Sequence, residues 1–569
     1  AFFSIANIIP AEDAIEYMKK AAYKSFAKKG DDIVKMNYAA IEKGAGEVIK
    51  VDVPASWADA EGTLPVHTAT GDRKDLVDFV NNILIPVNAQ RGDKLPVSTF
   101  VGMADGTFPQ GSAAYEKRGI AVDVPEWIPE NCIECNQCSF VCPHAVIRPV
   151  ILSEEEAAKA PAGAKMKDAM GLPGMKFAMV TSVLDCTGCG VCAQVCPSKN
   201  KALVMKSLDS QMNEQPMFDY AVKEVADKPE VHEKFKETTV KGSQFKQPLL
   251  EFSGACAGCG ETPYAKLVTQ LFGDRMYIAN ATGCSSIWGG SAPSTPYTVN
   301  KEGHGPSWAN SLFDDNAEYG LGMFIAQDTL RHRAQGQLKA IAEKTENADV
   351  KAKIDTYFET ANDGKANAAA TKDLVAALEA LDCDCAEKNA VLKAKNYLAK
   401  KSNWIFGGDG WAYDIGYGGV DHVLASGKNV NVFVFDTEVY SNTGGQASKA
   451  TNIGAVAQFA AAGKDVKKKD LSGIAMKYGY VYVAQVSMGA DMNQCLKAIA
   501  EAEAYDGPSL VIAYAPCINH GIKGGLTIAQ KVEKEAVQAG YWHLFRFNPA
   551  APAGTNPFTL DSKAPTGDY

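Results

Sequence analysis

Eight cysteines fall into two copies of one metal-binding pattern. "CIECNQCSFVCP" and "CTGCGVCAQVCP" both have the spacing C-x2-C-x2-C-x3-C-P. This spacing is typical of chains that hold two 4Fe-4S clusters, in which the fourth cysteine of each copy binds the partner cluster. Zinc is the alternative, but zinc closes its shell with two CxxC pairs and does not need a crossed fourth cysteine. We therefore predict one cluster on Cys132, Cys135, Cys138 and Cys196, and a second on Cys186, Cys189, Cys192 and Cys142.

Another cysteine pair, Cys256 and Cys259 in "SGACAGCGETPY", has no second CxxC and no histidine pair close by. Four strand-like runs further along each lead to a reactive residue just past their end: "MYIAN" to Cys284, "NWIFGG" to Asp409, "NVFVFD" to Thr437 and "SLVIAYAP" to Cys517. Because ligands bind at the carboxyl ends of parallel strands, these positions should converge on one crevice. We predict a third 4Fe-4S cluster on Cys256, Cys259, Cys284 and Cys517; the irregular spacing alone leaves free thiols or a zinc site open.

The segment "GDGWAYDIGYGG" is followed, 28 residues after Asp409, by "DTEVYSNTGGQ". A GDG turn at a strand end, a helix, and a second strand ending in oxygen donors can hold Mg2+ against a diphosphate. Mg2+ prefers octahedral oxygen ligands, here Asp409, Thr437 and the Val439 carbonyl together with phosphate and water. Glycines let the backbone approach the phosphates, and a helix N-terminus favours the negative charge. Alone, GDG is a common turn; the paired elements indicate thiamine diphosphate.

Short apolar strands alternating with helical patterns predict the elements that must position these residues. We expect a multidomain α/β chain: a doubly wound parallel-sheet domain for thiamine diphosphate, plus an α+β two-cluster ferredoxin domain. The predicted boundaries are residues 1–70 for the tail of an α/β domain, 71–125 for an extended connector, 126–230 for the ferredoxin domain with an insertion at 143–185, and 231–569 for the thiamine domain with a helical insertion at 326–400 and a C-terminal extension.

Composition limits the function classes. The net charge of −10, without a separate block of Lys and Arg, argues against nucleic acid and anionic membrane surfaces as partners. No apolar run reaches the roughly 18 residues of a membrane span, and the N-terminus lacks a secretory signal, so a cytoplasmic protein is expected. Cys383, Cys385 and Cys495 lie in Ala-rich helical stretches and are interpreted as thiols without function.

Six segments together resemble the family of single-chain pyruvate:ferredoxin (flavodoxin) oxidoreductases. They are "SGACAGCGETPY", "ATGCSSIWGG", "NSLFDDNAEYG", "GGDGWAYDIGYGG", "DTEVYSNTGGQASKAT" and "PCINHG", in an order that matches the C-terminal half of such a polypeptide. The resemblance covers essentially the whole chain. It implies that Glu261 and Cys284 lie beside the cofactor, that Asn442 reaches the substrate, and that the diphosphate region is held by Gly408, Asp409, Gly410, Trp411, Thr437, Glu438, Val439, Tyr440, Ser441 and Asn442.

The resemblance also implies an activity: oxidative decarboxylation of pyruvate with coenzyme A to acetyl-CoA and CO2. Electrons would leave the thiamine diphosphate site one at a time, through three 4Fe-4S clusters, to ferredoxin or flavodoxin. The family's remaining thiamine and substrate contacts lie in N-terminal domains, so this chain should carry a half-site; a homodimer is also expected. The alternatives are the same reaction on another 2-oxo acid, an electron-transfer subunit without catalysis, and a non-oxidative thiamine decarboxylase.

Overall fold

The computed structural model describes residues 1–59, 68–291 and 294–567 of the chain. The chain divides into two compact units, Ala1–Thr68 and Ala69–Tyr569. Across these described ranges, each helix is too short or too polar to cross a lipid bilayer.

The first unit is helical. It contains α1 (Phe2–Ala6), α2 (Ala11–Phe26) and α3 (Asp31–Gly46), with α2 packed against α3. Residues 48–54 have no regular structure, and their apolar side chains are largely exposed. Residues 60–67 lie outside the described residues, and the α/β tail stays a prediction.

The region predicted as an extended connector begins with a helix. α4 (Lys74–Phe79), a π-helical turn (Val80–Leu84) and α5 (Ile85–Asn88) follow one another directly. Its buried face has the i, i+3, i+4, i+7, i+8 spacing of an amphipathic helix, and it is formed by Leu76, Phe79, Val80, Ile83 and Leu84. The prediction of an extended chain is thus wrong for residues 74–88, where Pro86 is tolerated at the start of α5.

The ferredoxin domain is framed by β1 (Asp123–Trp127), which pairs antiparallel with β5 (Leu203–Ser207). Each cysteine motif contributes a short helix, α6 (Gln137–Phe140) or α8 (Val191–Val195). The predicted insertion forms a sheet of β2 (Ile147–Leu152), β3 (Lys167–Asp168) and β4 (Lys176–Thr181), with α7 (Glu154–Lys159) after β2. Its Arg148 pairs with Glu251, so the insertion contacts the segment that leads into the next domain. The helices that follow β5 are α9 (Leu208–Gln211), α10 (Gln215–Lys223), α11 (Pro229–Lys234) and α12 (Val240–Ser243).

An eight-stranded sheet organises the C-terminal part. Its strands are β6 (Met276–Ala281), β7 (Ser307–Ser311), β8 (Ser402–Gly408), β9 (Asn431–Asp436), β12 (Tyr482–Val486), β13 (Ser509–Tyr514), β14 (Phe545–Phe547) and β15 (Phe558–Leu560). The order is β15-β14-β12-β13-β9-β8-β6-β7, and only the pairs that involve β14 are antiparallel. A small hairpin, β10 (Val439–Tyr440) with β11 (Gln446–Ala447), follows β9.

Helices cover both faces of this sheet, as the continuously apolar strands require. Successive residues of β9 point to opposite faces: Phe433 and Phe435 join one core cluster, and Val432 and Val434 join the other. The flanking helices are α13 (Thr262–Phe272), α14 (Cys284–Ser286), α15 (Asn316–Lys344), α19 (Tyr417–Ala425), α20 (Leu471–Met476), α21 (Met492–Ala504) and α22 (Ala529–Gln538). Phe140 and Val191 of the ferredoxin motifs belong to the first cluster, so the ferredoxin domain packs against that face.

The predicted helical insertion is continuous with α15. The first half of this helix packs on the sheet, and its second half packs in a separate apolar core with α16 (Ala348–Glu359), α17 (Gly364–Ala380) and α18 (Ala386–Lys393). Cys383 and Cys385 lie in the loop between α17 and α18, with their Cα atoms 5.4 Å apart, and so outside the helical stretches in which the sequence placed them. Cys495 is buried in the main core, as expected for a thiol without function.

Candidate functional site

The two ferredoxin cysteine loops have the same backbone conformation. Two positions in each loop have a left-handed backbone, Glu134 and Asn136 in the first and Gly188 and Gly190 in the second. In both loops the residue two after the first cysteine donates its N–H to that cysteine's sulfur, at 3.4 Å. Such hydrogen bonds to sulfur are among the features that set cluster potentials. The repeat in sequence is therefore a repeat in structure.

The eight thiols lie in the two predicted groups. Burial raises the pKa of Cys138 well above its usual value, and the thiolates of Cys135, Cys132 and Cys196 raise it further. Burial likewise raises the pKa of Cys186 to about 12, with Cys142 and Cys189 adding to the shift. Buried thiols this close to one another are stabilised as thiolates by a metal, because the bound cation deprotonates them. The residues therefore fit two 4Fe-4S clusters.

The structure also brings the third cysteine group together. Burial raises the pKa of Cys284, and the charges of Glu261, Cys259 and Cys517 raise it further. Cys517 has a pKa raised to about 11, through burial and then through Glu261 and Cys256. These four cysteines come from three separate parts of the chain, the loop before α13 and the ends of β6 and β13. They fit a third cluster.

Glu261 lies among these cysteines. Its carboxylate is buried and accepts the indole N–H of Trp288 at 2.7 Å. Burial raises the pKa of Glu261 to about 7, although this hydrogen bond lowers it. A carboxyl group with such a pKa can exchange a proton near neutral pH.

Thr437 contacts the other two predicted magnesium ligands, Asp409 and the Val439 carbonyl, and these three oxygen donors are called the oxygen set below. The hydroxyl of Thr437 lies 3.0 Å from Asp409 Oδ1 and 3.0 Å from the Val439 carbonyl oxygen. One hydroxyl proton cannot serve both acceptors at once. Neighbouring oxygens in an octahedron around Mg2+, each about 2.1 Å from the ion, lie about 3.0 Å apart. The oxygen set therefore fits Mg2+ both in chemistry and in spacing.

Charged residues behind this oxygen set form a network. Asp436 accepts Tyr413 O–H at 2.8 Å and pairs with Lys468 at 2.8 Å; Lys468 also pairs with Glu438 at 3.3 Å. Burial lowers the pKa of Lys468, but Asp436 and Glu438 outweigh it and raise the pKa overall. Burial and then Asp436 raise the pKa of Asp409 well above normal. The Glu438 carboxylate thus pairs with Lys468 in this network and does not belong to the oxygen set.

Polar contacts through Ser441 and His520 place the cysteine group beside the oxygen set. Cys284 Sγ lies 3.2 Å from Ser441 Oγ. His520 Nδ1 accepts the N–H of Cys517 at 3.3 Å, so its Nε2 carries the proton and donates to the Thr437 carbonyl at 2.7 Å. His520 is thus a hydrogen-bonded loop histidine that bridges the end of β13 and the end of β9.

The remaining predicted residues lie around the same strand ends. The Trp411 ring is buried in the second core cluster, so only its backbone is available to a diphosphate. Gly410 lies against the Tyr440 ring, since an added Cβ would come within 2.4 Å of it. A Cβ on Gly408 would meet only the Phe435 carbonyl oxygen, at 3.9 Å, which leaves open space at the end of β8. Asn442 is exposed in the turn between β10 and β11.

Sequence reasoning missed several residues at this site, namely Trp288, Lys468, Lys266 and His144. His144 is buried, with Nε2 3.0 Å from the Ala255 carbonyl and Nδ1 3.4 Å from Thr187 Oγ1. It therefore joins the third cysteine group to the second. Its position in "VCPHAV", directly after Cys142-Pro143, is the one signal that the sequence offered.

In the described ranges, no three or more His, Cys, Asp or Glu side chains are grouped to hold a single metal ion. The oxygen set contains one such side chain, Asp409. In a 4Fe-4S cluster, each thiolate binds a different iron, so cluster ligands need not share one ion.

Family models match three parts of the chain. Residues 131–200 match a 4Fe-4S dicluster domain, and 389–513 match the C-terminal TPP binding domain of thiamine pyrophosphate enzymes. Residues 69–121 match EKR, a domain of unknown function. The predicted fold class is thereby confirmed, with a ferredoxin domain and a thiamine domain built on a mostly parallel sheet.

The chain is similar to curated proteins along its whole length. The pyruvate:ferredoxin oxidoreductase of Moorella thermoacetica is 55% identical over 582 residues, covering 100% of this chain and 48% of that protein. The pyruvate-flavodoxin oxidoreductase of Klebsiella pneumoniae is 53% identical, again over 100% and 48%. The mitochondrial pyruvate dehydrogenase [NADP(+)] of Euglena gracilis is 45% identical over 100% of this chain and 31% of that protein. This chain spans about half the length of the first two relatives.

Proposed function

We propose that this chain is the C-terminal half of a pyruvate:ferredoxin or pyruvate:flavodoxin oxidoreductase, holding three 4Fe-4S clusters and the Mg2+-diphosphate part of a thiamine diphosphate site. The complete enzyme would convert pyruvate and coenzyme A to acetyl-CoA and CO2. The identity of about half to two relatives with such names supports this proposal.

One observation carries the proposal: the oxygen set and the third cysteine group lie side by side, linked through Ser441 and His520. Ser441 lies against Cys284, and His520 connects Cys517 to Thr437. A non-oxidative thiamine enzyme does not need cluster-binding cysteines beside its cofactor. An electron carrier without catalysis does not need the oxygen set. The juxtaposition favours a thiamine enzyme whose electrons leave through iron-sulfur clusters.

The residues of the chain have separate tasks in this proposal. Thiamine diphosphate, when bound, supplies an electron sink for the bond to the departing carboxylate. Asp409, Thr437 and the Val439 carbonyl would hold Mg2+ against the diphosphate, and the open space at Gly408 would admit it. Glu261, with its pKa near 7, would hold or release a proton beside the cysteine group.

The three cysteine groups form a continuous route across the chain. His144 joins the third group to the second, and the Gly258 N–H, between Cys256 and Cys259, donates to Cys189. The thiolate of Cys138 in the first group affects the pKa of Cys192 in the second. We propose that single electrons follow this order and leave from the first group, on Cys132, Cys135, Cys138 and Cys196.

The proposal includes partners that supply the rest of the site. Asn442, exposed beside the oxygen set, would reach a substrate enclosed by N-terminal domains. The named acceptors of the relatives include ferredoxin and flavodoxin, so either carrier is proposed here. We also propose a homodimer and a cytoplasmic location, the latter because reduced thiols persist in that compartment.

The activity is tested with viologen reduction by the complete enzyme. Pyruvate with coenzyme A should reduce viologen at least about tenfold faster than 2-oxoglutarate or oxaloacetate, a difference of about 1.4 kcal/mol in transition-state free energy. Reduction by 2-oxoglutarate but not by pyruvate would overturn the substrate. Release of acetaldehyde without viologen reduction would favour the non-oxidative alternative, and no turnover with any 2-oxo acid would favour an electron-transfer subunit.

Two adjacent glycines at the end of β8 give a matched pair of variants. A Cβ on Gly407 would lie 2.3 Å from the buried Trp411 ring, so Gly407→Ala should destabilise the fold by about 1–3 kcal/mol. Gly408→Ala should leave the stability within about 0.5 kcal/mol and instead weaken thiamine diphosphate binding, because its Cβ enters the open space. Urea unfolding and cofactor titration separate the two effects. Unchanged cofactor affinity in Gly408→Ala would place the diphosphate elsewhere.

A further inference from the structure

Lys266 is a lysine of the thiamine domain that reaches into the ferredoxin domain. It lies on α13, seven residues after Cys259, the second cysteine of the CxxC pair, and is 1% exposed. Its ammonium donates to the carbonyls of Ser139 and, at 3.0 Å, Phe140 at the end of α6. In the described part of the chain it makes no ion pair with a carboxylate. Burying a charge without a counter-charge is costly, so a partner is expected.

The position of the ammonium indicates what that partner is. Ser139 follows Cys138, a ligand of the first cluster, and Phe140 comes two residues before Cys142, a ligand of the second. Burial lowers the pKa of Lys266 to about 8, while the thiolates of Cys142 and Cys138 raise it. The nearby cation Arg148 also lowers it, but Arg148 pairs with Glu251. The side chain is therefore within electrostatic range of one ligand from each cluster.

We propose that Lys266 is a fixed counter-charge shared by the two ferredoxin clusters, which stabilises their reduced forms and raises their reduction potentials relative to the third cluster. The proposal rests on the cluster ligands assigned under the proposed function. Each reduction adds one electron to a cluster, and no bond or proton moves. Because an added electron makes a cluster more negative, a buried cation beside both favours electron flow from the third cluster into the pair.

A pair of variants separates charge from packing. Lys266→Gln keeps a hydrogen-bond donor but removes the charge, whereas Lys266→Arg keeps the charge. In a redox titration of the full chain followed by electron paramagnetic resonance, Lys266→Gln should lower both ferredoxin-cluster potentials. At the midpoint potential of the wild type, the ratio of reduced to oxidised cluster in Lys266→Gln should be about tenfold lower. For a one-electron centre this corresponds to a reduction potential lowered by about 59 mV. In Lys266→Arg the same ratio should stay within about threefold of the wild-type value, which is roughly half of that shift in potential.

Controls make the outcomes decisive. Lys228 is another buried lysine, but its ammonium contacts Glu156 and the Ala226 carbonyl, so Lys228→Gln should leave the potentials unchanged. The signal lost in Cys517→Ala identifies the third cluster, which serves as the internal reference. Unchanged potentials in an iron-replete Lys266→Gln would overturn the proposal. Loss of both ferredoxin clusters in the Gln and the Arg variants would also overturn it, because the lysine would then only hold α6 in place.

The titration uses a chemical reductant and neither pyruvate nor thiamine diphosphate. A failure of the proposed pyruvate oxidation would therefore leave this result intact, and a negative titration would leave the proposed activity intact.

Discussion

Replacing Asp409 with alanine should abolish Mg2+-dependent binding of thiamine diphosphate, and with it pyruvate oxidation, in the complete enzyme. Asp409 supplies the one carboxylate of the oxygen set, and its Oδ1 lies 3.0 Å from the Thr437 hydroxyl. Loss of a charge-assisted ligand costs about 3 kcal/mol, so cofactor affinity should fall on the order of 100-fold or more. Calorimetric titration of the cofactor with and without Mg2+ measures this change.

The isosteric variant Asp409→Asn distinguishes lost binding from lost folding. Burial and the neighbouring Asp436 raise the pKa of Asp409, so the charged carboxylate destabilises the metal-free fold. Asp409→Asn should therefore keep or increase the free energy of unfolding without Mg2+ and still bind the cofactor poorly. Asp414→Asn is the matched control, because Asp414 lies five residues after Asp409 and pairs with Lys449. Mg2+-dependent binding that persists in Asp409→Ala would remove the oxygen set from the cofactor site.

The parts of the site that sequence predicted are those encoded by short local patterns. A run such as "NVFVFD" is buried on both faces and must be a central parallel strand, so its end is a ligand position wherever the sheet lies. The structure places β13, β9, β8 and β6 side by side, which brings Cys517, Thr437, Asp409 and Cys284 to one edge. The cysteine spacing is equally local, since one loop holds three corners of a cluster.

The parts that sequence missed depend on contacts between distant segments. Lys266 meets Ser139 across 127 positions of the chain, and in the sequence it is one lysine in an apolar helix. Lys468 lies in the run "KDVKKKD", which is typical of a solvated surface, yet it turns inward because Asp436 and Glu438 are buried and, among the residues that the structure describes, form no salt bridge with another cation. The helix at residues 74–88 was missed because residues 71–125 are rich in Pro and Gly, which favours loops. The helical spacing of the apolar residues from Leu76 to Leu84 was therefore overlooked.

Replacing Cys517 with alanine should remove one of three clusters and disconnect the thiamine site from the other two. Cys517 follows β13 and lies with Cys256, Cys259 and Cys284 around Glu261. Iron should fall by about one third, from about 12 to about 8 atoms per chain, because each 4Fe-4S cluster holds four irons and needs its full set of ligands. Pyruvate should then no longer reduce the ferredoxin clusters, although a chemical reductant still should.

Cys495→Ala is the control for this prediction, since Cys495 is a buried thiol of α21 within the main core. It should lower stability by about 1 kcal/mol through a small cavity and leave the iron content unchanged. Iron analysis and electron paramagnetic resonance compare the two variants. If Cys517→Ala retained all three centres, the third cluster would have another ligand, and the link from Cys517 through His520 to Thr437 would not connect a cluster to the cofactor. Loss of a single centre, with the two ferredoxin signals intact, would place the first step of electron transfer at the end of β13.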